Sequence, residues 1–348
     1  MNMVALGAIL WAGTKKGGRG MQMKTTVGMV GCLVAGALLG ARPAPAGDVP
    51  APLRGVQRIV FLGDSITQAG HYVVDFECGL LARGLDLEVL NLGLSSESGT
   101  DLTAAENQGH KTSFGFARPC LSERLDRVLA ATKPDLVIAC YGMNDGGALP
   151  PDEAGTQRFA AALTHLRDAA LKSGAKRVVL CTPPVHDSKG PAAQDVHDSN
   201  LARYSAWLLS KRADGWDVVD IHGPMRQVLD EQRAKDPKFR FAGDGVHPNR
   251  SGHWLMASAI LTQFLGAKLD GVSSAEQLLG PDGKAVQDLV RKRMGVRFDA
   301  WMTKIGHTRP GVPGFPGVNP GPSLQAADER AAEIRKQIAD KRREGGAK

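Results

Sequence analysis

The stretch Leu136-Val-Ile-Ala-Cys-Tyr141 is apolar along its whole length. A strand of that kind is buried on both faces, which requires a parallel sheet covered by helices above and below. Four other short runs have a similar β-rich character: Arg58–Leu62, Leu87–Leu92, Arg177–Cys181 and Trp216–Ile221. Between and after them lie helical stretches at His71–Arg83, Pro119–Thr132, Asp152–Lys172, Asn200–Arg212, Met225–Lys235 and Ser251–Leu265. The Pro119–Thr132 stretch sets Leu121, Leu125, Val128 and Leu129 at helical spacing. This alternation predicts an α/β fold, a three-layer α/β/α sandwich around a parallel sheet of about five strands. Ligands in such sheets bind outside the carboxyl ends of the strands. The segments to inspect are therefore those following the strands: GDSIT from Gly63, GLSSES from Gly93, GMNDGG from Gly142 and TPPVHD from Thr182.

Both ends of the chain differ from this body. Residues 1–46 carry five basic residues and no acid, and so hold +5 of the net charge of +7. Lys24 precedes the apolar, small-residue run Val27–Leu39, and Ala44-Pro45-Ala46 offers a cleavage site. That pattern predicts an export signal over 1–46, with translation starting at Met1, Met21 or Met23, and places the mature chain in the periplasm or outside the cell. The run is short for a membrane span of about 20 residues, and Met29-Val-Gly-Cys32 is only a loose lipoprotein signal. A Pro/Gly linker follows over 47–55, and the predicted body covers 56–266. Residues 267–348 are expected to form a basic, helical extension, interrupted by the Pro/Gly-rich segment 306–323 and ending in a charged helix over 324–345. A basic tail on a slightly acidic body does not argue for nucleic acid. No C-x-x-C pair occurs, and Cys140 and Cys181 fall in buried strands, so free core thiols are expected; the sequence does not decide whether Cys78, Cys120, Cys140 and Cys181 form disulfides.

Three segments carry residue types suited to chemistry. Ser65 follows a strand directly and is preceded by Gly63-Asp64; by itself this reads as a turn or a helix cap. Asp244 and His247 stand three residues apart across a Gly-containing turn. That spacing can bring a carboxylate to one imidazole nitrogen and leave the other for a hydroxyl, although a surface turn has the same spacing. Two such groups without a third nearby make a poor metal site. Asn144, after the most apolar strand, carries an amide able to donate to a developing oxyanion; its plainer role is turn formation in Asn-Asp-Gly-Gly.

Taken together and in this order, Val60-Phe-Leu-Gly-Asp-Ser-Ile-Thr67, Gly142-Met-Asn-Asp145 and Asp244-Gly-Val-His-Pro-Asn249 resemble the blocks of the SGNH hydrolases, also called GDSL esterases. The resemblance spans roughly residues 56 to 266. It implies a flavodoxin-like three-layer fold and hydrolysis of acyl esters with no cofactor and no metal. It also implies that Ser65 attacks, His247 serves as base and acid, and Asp244 orients His247. The Ser65 N–H and the Asn144 side chain would stabilise the oxyanion. One block departs from the pattern. The family places a donor glycine shortly after an asparagine, and the corresponding position after Asn91 holds Ser96, whose N–H can still donate; Gly93 is the alternative donor.

Thr67, Gln68, His71 and Asp145 flank these blocks, and turn capping explains Asp145 as well as a role in ordering the oxyanion loop does. His186, His197 and His253 read as surface or packing residues, and Trp301, His307 and Arg309 belong to the tail. The segments 94–118 and 186–200 are polar, with no apolar flap between the blocks. That suits a small-molecule or polysaccharide ester, such as an O-acetylated carbohydrate. A lysophospholipase or thioesterase, or a non-catalytic carbohydrate- or envelope-binding protein on the same fold, are the alternatives. The sequence does not decide the oligomeric state.

Overall fold

The computed structural model describes residues 49–146, 149–188 and 195–346. The expected export signal, with Met21, Met23 and Cys32, lies outside the described residues, as does part of the 186–200 loop.

Five parallel strands form one sheet: β1 (Arg58–Gly63), β2 (Glu88–Asn91), β3 (Leu136–Cys140), β4 (Arg177–Cys181) and β5 (Asp217–Val219). Their spatial order is β2-β1-β3-β4-β5. All five positions of β3 are buried, as its apolar sequence requires. Right-handed crossovers put helices on both faces. On one face α4 (Leu125–Thr132), α5 (Glu153–Lys172) and α6 (Val196–Ser210) pack in succession. On the other, α2 (His71–Ala82) packs against α8 (Arg250–Gln263), and α7 (His222–Lys235) packs on α6 and α8.

The strand order reverses direction at β1, which lies between β2 and β3. Gly63 is in register with Cys140, and Cys140 with Cys181, so the loops after β1, β3 and β4 leave the sheet at one level. The chain beyond β2 keeps company with β1, through Leu92 N–H to Phe61 O at 2.9 Å and Leu94 N–H to Gly63 O at 2.8 Å. Three loops thus meet at the switch point, where open α/β sheets bind ligands.

One helix and one packing contact go beyond what the sequence suggested, while the helical C-terminal extension is as expected. The polar segment 94–118 contains α3 (Ala104–Phe114), started by a capping box between Thr103 and Glu106. It lacks an apolar stripe, which hides it from periodicity, but T-x-x-E is itself a helix-start signature. After α9 (Ala275–Leu279), the C-terminal segment forms α10 (Gly283–Ile305) and α11 (Leu324–Gly346). α10 packs on α2, on α11 and along the edge strand β2, burying Val286, Val290, Met302 and Ile305. Each such side chain is worth about 1.5–3 kcal/mol, and the contact also covers an otherwise open sheet edge. Arg293 of α10 reaches the buried Glu77 of α2 at 2.5 Å. Cys78, Cys120, Cys140 and Cys181 are all unpaired thiols.

Candidate active site

β1 ends at Gly63, where the chain turns within reach of both Thr67 and β3. A Cβ at that position would stand 2.1 Å from Thr67 Oγ1 and 2.7 Å from the Cys140 carbonyl oxygen, so only glycine fits. Asp64 caps the short helix α1 (Ser65–Ala69) by accepting the Ile66 N–H at 2.9 Å. The cap sets Ser65 at the sheet's edge with its Oγ 2.8 Å from His247 Nε2.

His247 is held by its own turn. Asp244 Oδ1 accepts the N–H groups of Val246 at 2.9 Å and of His247 at 2.8 Å. Asp244 Oδ2 lies 2.7 Å from His247 Nδ1. A carboxylate only accepts, so Nδ1 carries the proton and Nε2 is left to accept from the Ser65 hydroxyl. Partial desolvation pushes the Asp244 carboxyl up, but the bonds from the His247 side chain and backbone and from Val246 outweigh it and bring the group down to about 2. Ser65, His247 and Asp244 therefore form one continuous relay, and Asp244 is ionised at neutral pH.

The loop after β2 is bound to α1, just beyond Ser65, and forms a wall beside that residue. Asn91 fastens it, donating from Nδ2 to the Thr67 carbonyl at 2.7 Å and accepting the Gly93 N–H at 3.0 Å. Gly93 passes so close to α1 that a Cβ would meet Gln68 N at 2.4 Å. Ser95 N–H is taken by Gln68 Oε1 at 2.6 Å, and Glu97 N–H by the Leu94 carbonyl at 3.0 Å. Among the described residues, Ser96 is the only one from Leu92 to Ser98 whose backbone N–H has no protein acceptor. Ser96 sits at φ 69°, in the left-handed region that favours glycine. Its hydroxyl lies 3.1 Å from His110 Nε2, while His110 Nδ1 lies 2.9 Å from the Phe116 carbonyl. The Phe116 carbonyl can only accept, so Nδ1 is the protonated nitrogen and Nε2 accepts from Ser96.

Behind this loop Glu97 and Arg124 form a fully buried two-point ion pair, at 2.6 and 2.7 Å. Tyr141 donates its hydroxyl to Glu97 at 2.6 Å, and Arg124 also binds the Leu92 carbonyl at 2.7 Å. Asn144, nearly buried, donates from Nδ2 to the Glu97 carbonyl at 2.9 Å and accepts from Arg118 at 2.7 Å through Oδ1. Arg118 can only donate, so the orientation of the amide is decided, and the second Nδ2 hydrogen remains for another acceptor.

Asp145 accepts the Thr100 N–H at 2.7 Å, tying the loop after β3 to the one after β2. Burial raises its carboxyl to about 6 despite that bond. Burial likewise raises Asp64 to about 7, against the lowering effect of its bond from Ile66 and with a further rise from Asp145. Thr67 bonds Tyr72 inside the core at 2.9 Å. His71 lies beside Arg250 and Arg291, and desolvation together with those cations lowers it to about 4. His186 stacks on His197, and His253 is buried near His71 and Tyr72. Trp301 is buried in the tail. Arg309 reaches the wall, donating from Nε to the Ser95 carbonyl at 3.2 Å. Sequence reasoning missed His110, Arg118 and Arg124. The capping box of α3 is the one local signal that could have pointed to His110.

Among the described residues no group of three or more His, Cys, Asp or Glu side chains is placed to hold a metal ion, and no helix is long and apolar enough to cross a membrane. No curated protein matches the chain. Among solved structures it is similar to a gut microbial diltiazem-metabolizing enzyme, at 20% identity and a TM-score of 0.44 over 60% of this chain. The match spans 46% of that enzyme, less than half its length. It is also similar to an acetylxylan esterase from Geobacillus stearothermophilus, at 22% identity and a TM-score of 0.43, covering 61% of this chain and 95% of that one. The model of the GDSL-like lipase/acylhydrolase family matches residues 61–255. That span contains β1 to β5 from Phe61 on, with Ser65, Asn144 and His247, and the chain belongs to that family as an ester-hydrolysing serine hydrolase.

Proposed function

We propose that the chain is an exported esterase that cleaves carboxylic esters through an acyl-enzyme on Ser65, acting on O-acetyl or short-acyl esters of carbohydrates. The observation that carries this reading is the unbroken relay from Ser65 Oγ through His247 to Asp244, at 2.8 and 2.7 Å. His247 Nε2 takes the hydroxyl proton as Oγ bonds to the acyl carbon, then returns it to the departing alcohol. A water, deprotonated by the same nitrogen, attacks the acyl carbon; the bond to Ser65 Oγ breaks, Oγ regains the proton from His247, and the carboxylic acid is released. Asp244 keeps the imidazole in the required tautomer and stabilises the cation that forms.

The oxyanion is received by the N–H groups of Ser65 and Ser96 and by Asn144 Nδ2. Gly93 is left out of this set because Asn91 already takes its N–H at 3.0 Å. Support for a hydrated substrate comes from the polar make-up of the segments 94–118 and 186–200. Export rests on the signal-like residues 1–46. Residues 56–266 are taken as the hydrolase domain and 267–348 as an extension laid against it. A purely binding protein has no use for a hydroxyl–imidazole–carboxylate relay.

The test is covalent labelling of the purified protein with a fluorophosphonate, followed by turnover on acetylated sugars and on longer acyl esters. The label is expected on Ser65. A folded Ser65→Ala variant is expected to lose both label and nearly all turnover. Ordinary ester hydrolysis by that variant would overturn the assignment, and a preference for long acyl chains would overturn the substrate class.

A further inference from the structure

Two arginines stand behind the wall beside Ser65, each on a carbonyl-type oxygen. Arg118 Nη1 donates to Asn144 Oδ1 at 2.7 Å, the oxygen end of the amide whose Nδ2 keeps one hydrogen beyond its bond to Glu97. Arg309 Nε donates to the Ser95 carbonyl at 3.2 Å. That carbonyl belongs to the same peptide unit as the Ser96 N–H, the amide with no protein acceptor among the described residues. Each of the two amides is thus capped at its oxygen by a guanidinium and keeps an uncommitted N–H: that of Ser96, and the second Nδ2 hydrogen of Asn144, whose first is donated to the Glu97 carbonyl at 2.9 Å.

Neither guanidinium has an ion-pair partner among the described residues, although the carboxyls of Asp145 and Asp64 act on Arg118 from a distance. Arg124, in the same wall, is paired on Glu97. Arg309 is also built into position. Its guanidinium lies over the Phe116 ring at 4.5 Å and its Nη1 bonds the Pro310 carbonyl. Its own N–H binds His307 Nδ1 at 3.1 Å, and His307 Nε2 lies 2.9 Å from the Pro313 carbonyl. Two bonds from Arg127, to the carbonyls of Ile305 at 2.9 Å and Gly306 at 3.2 Å, fasten this turn to α4.

A positive charge donating to an amide oxygen draws electron density along the O–C–N system. The N–H at the other end becomes a stronger donor, and hydrogen bonds in chains reinforce one another by about 10–30% per bond. From this placement we infer that Arg118 and Arg309 polarise the two amide donors of the oxyanion hole, so that the C-terminal extension contributes to catalysis through the Ser95–Ser96 peptide. This rests on the esterase reading above. Both arginines are positioning residues: they act through Asn144 and Ser96 and touch no reacting atom. The effect grows as negative charge develops on the substrate oxygen, so it belongs to the transition state more than to the bound ester.

Losing a whole oxyanion donor costs on the order of 10²–10³ in rate. A tenth to three tenths of that, on a logarithmic scale, gives roughly a 1.6- to eightfold fall in kcat for each arginine. The experiment measures kcat, KM and their pH profiles on p-nitrophenyl acetate with the full chain. The variants are Arg309→Met, Arg309→Lys, Arg118→Met, and the double Met variant. The inference expects kcat to fall with KM and the pH profile in place, Lys at 309 to recover most of the loss, and the two Met effects to multiply. Wild-type kcat in Arg309→Met, a loss carried entirely by KM, or Lys as slow as Met would overturn it. Should Arg309→Met not fold, the kcat of Arg309→Lys and of Arg118→Met decides by the same criteria. Ser65→Ala in the same assay separates the two failures. Turnover by Ser65→Ala overturns the esterase reading. An inactive Ser65→Ala beside an unaffected Arg309→Met overturns this inference alone.

Discussion

Ser65 stands between two constructions of opposite kind. On one side, Asp244 and His247 are half-exposed, at 55% and 50% of their side chains, and hold each other within a single turn. On the other, Glu97 and Arg124 are completely shielded from solvent, and the wall they support draws on residues from β2 to the C-terminal extension. On the function proposed above, the exposed half moves a proton, which needs only an imidazole and its carboxylate in the right tautomer, so a short turn suffices. Receiving negative charge needs donors that do not move when it appears, and that calls for a rigid, dry backing. The two halves should therefore fail differently, one in activity alone and the other in stability as well.

The largest effect tests the exposed half. Asp244→Asn is expected to lower kcat on the order of 10⁴-fold, because an amide no longer selects the Nδ1–H tautomer. Its stability at pH 7 should change by less than about 1 kcal/mol, since the pair is open to solvent. The sign of the linkage is definite. Asp244 is lowered in the folded protein, so its contribution is present above the ordinary carboxylate range and is lost as pH falls through about 2. Chemical denaturation at pH 7 together with steady-state rates checks both parts, and a variant that unfolds would erase the contrast.

Next comes the buried half. Arg124→Met leaves the Glu97 carboxyl enclosed without its partner, at an expected cost of about 3–5 kcal/mol in a urea titration. Adding Glu97→Gln to that variant should restore much of the loss, because the unpartnered carboxyl is then gone. An Arg124→Met protein as stable as the parent would show that the wall does not depend on its ion pair.

The mildest test concerns Asp64, on the seam between the halves. Burial raises its carboxyl to about 7, so the folded protein holds this proton more tightly than the unfolded chain does. The stability it contributes is complete below the ordinary carboxylate range and is lost as pH rises through about 7. Asp64→Asn keeps an oxygen for the Ile66 N–H and has nothing to ionise. Its melting temperature should therefore vary less between pH 5 and 8 than that of the parent. An unchanged slope would place the raised group elsewhere, Asp145 being the other candidate at about 6.

The same division explains what could be read from the residues. Asp244 and His247 are three positions apart, and the strands declare themselves by continuous apolar runs; such features are local and legible. Position 96 lies five residues after Asn91, where the family's pattern expects glycine, and its backbone is left-handed, the conformation that glycine favours. Arg124 meets Glu97 across 27 residues and Arg309 meets Ser95 across 214, and neither arginine lies in a motif. A charged residue in an amphipathic helix or a Pro/Gly segment looks like a solvated one until the fold brings its partner. The tail was legible as helices but not as a neighbour of the site, because its contacts are with side chains far upstream.

Ser96 carries one more consequence, for how such a chain can change over generations. A non-glycine residue in the left-handed region costs on the order of 1–2 kcal/mol, and here the bond from its hydroxyl to His110 offsets part of that. Substituting glycine would remove both the cost and the hydroxyl, and with it the need for an imidazole on α3. Positions 96 and 110 are therefore tied as a pair: serine at the first binds the second to an acceptor, and glycine at the first releases it to drift.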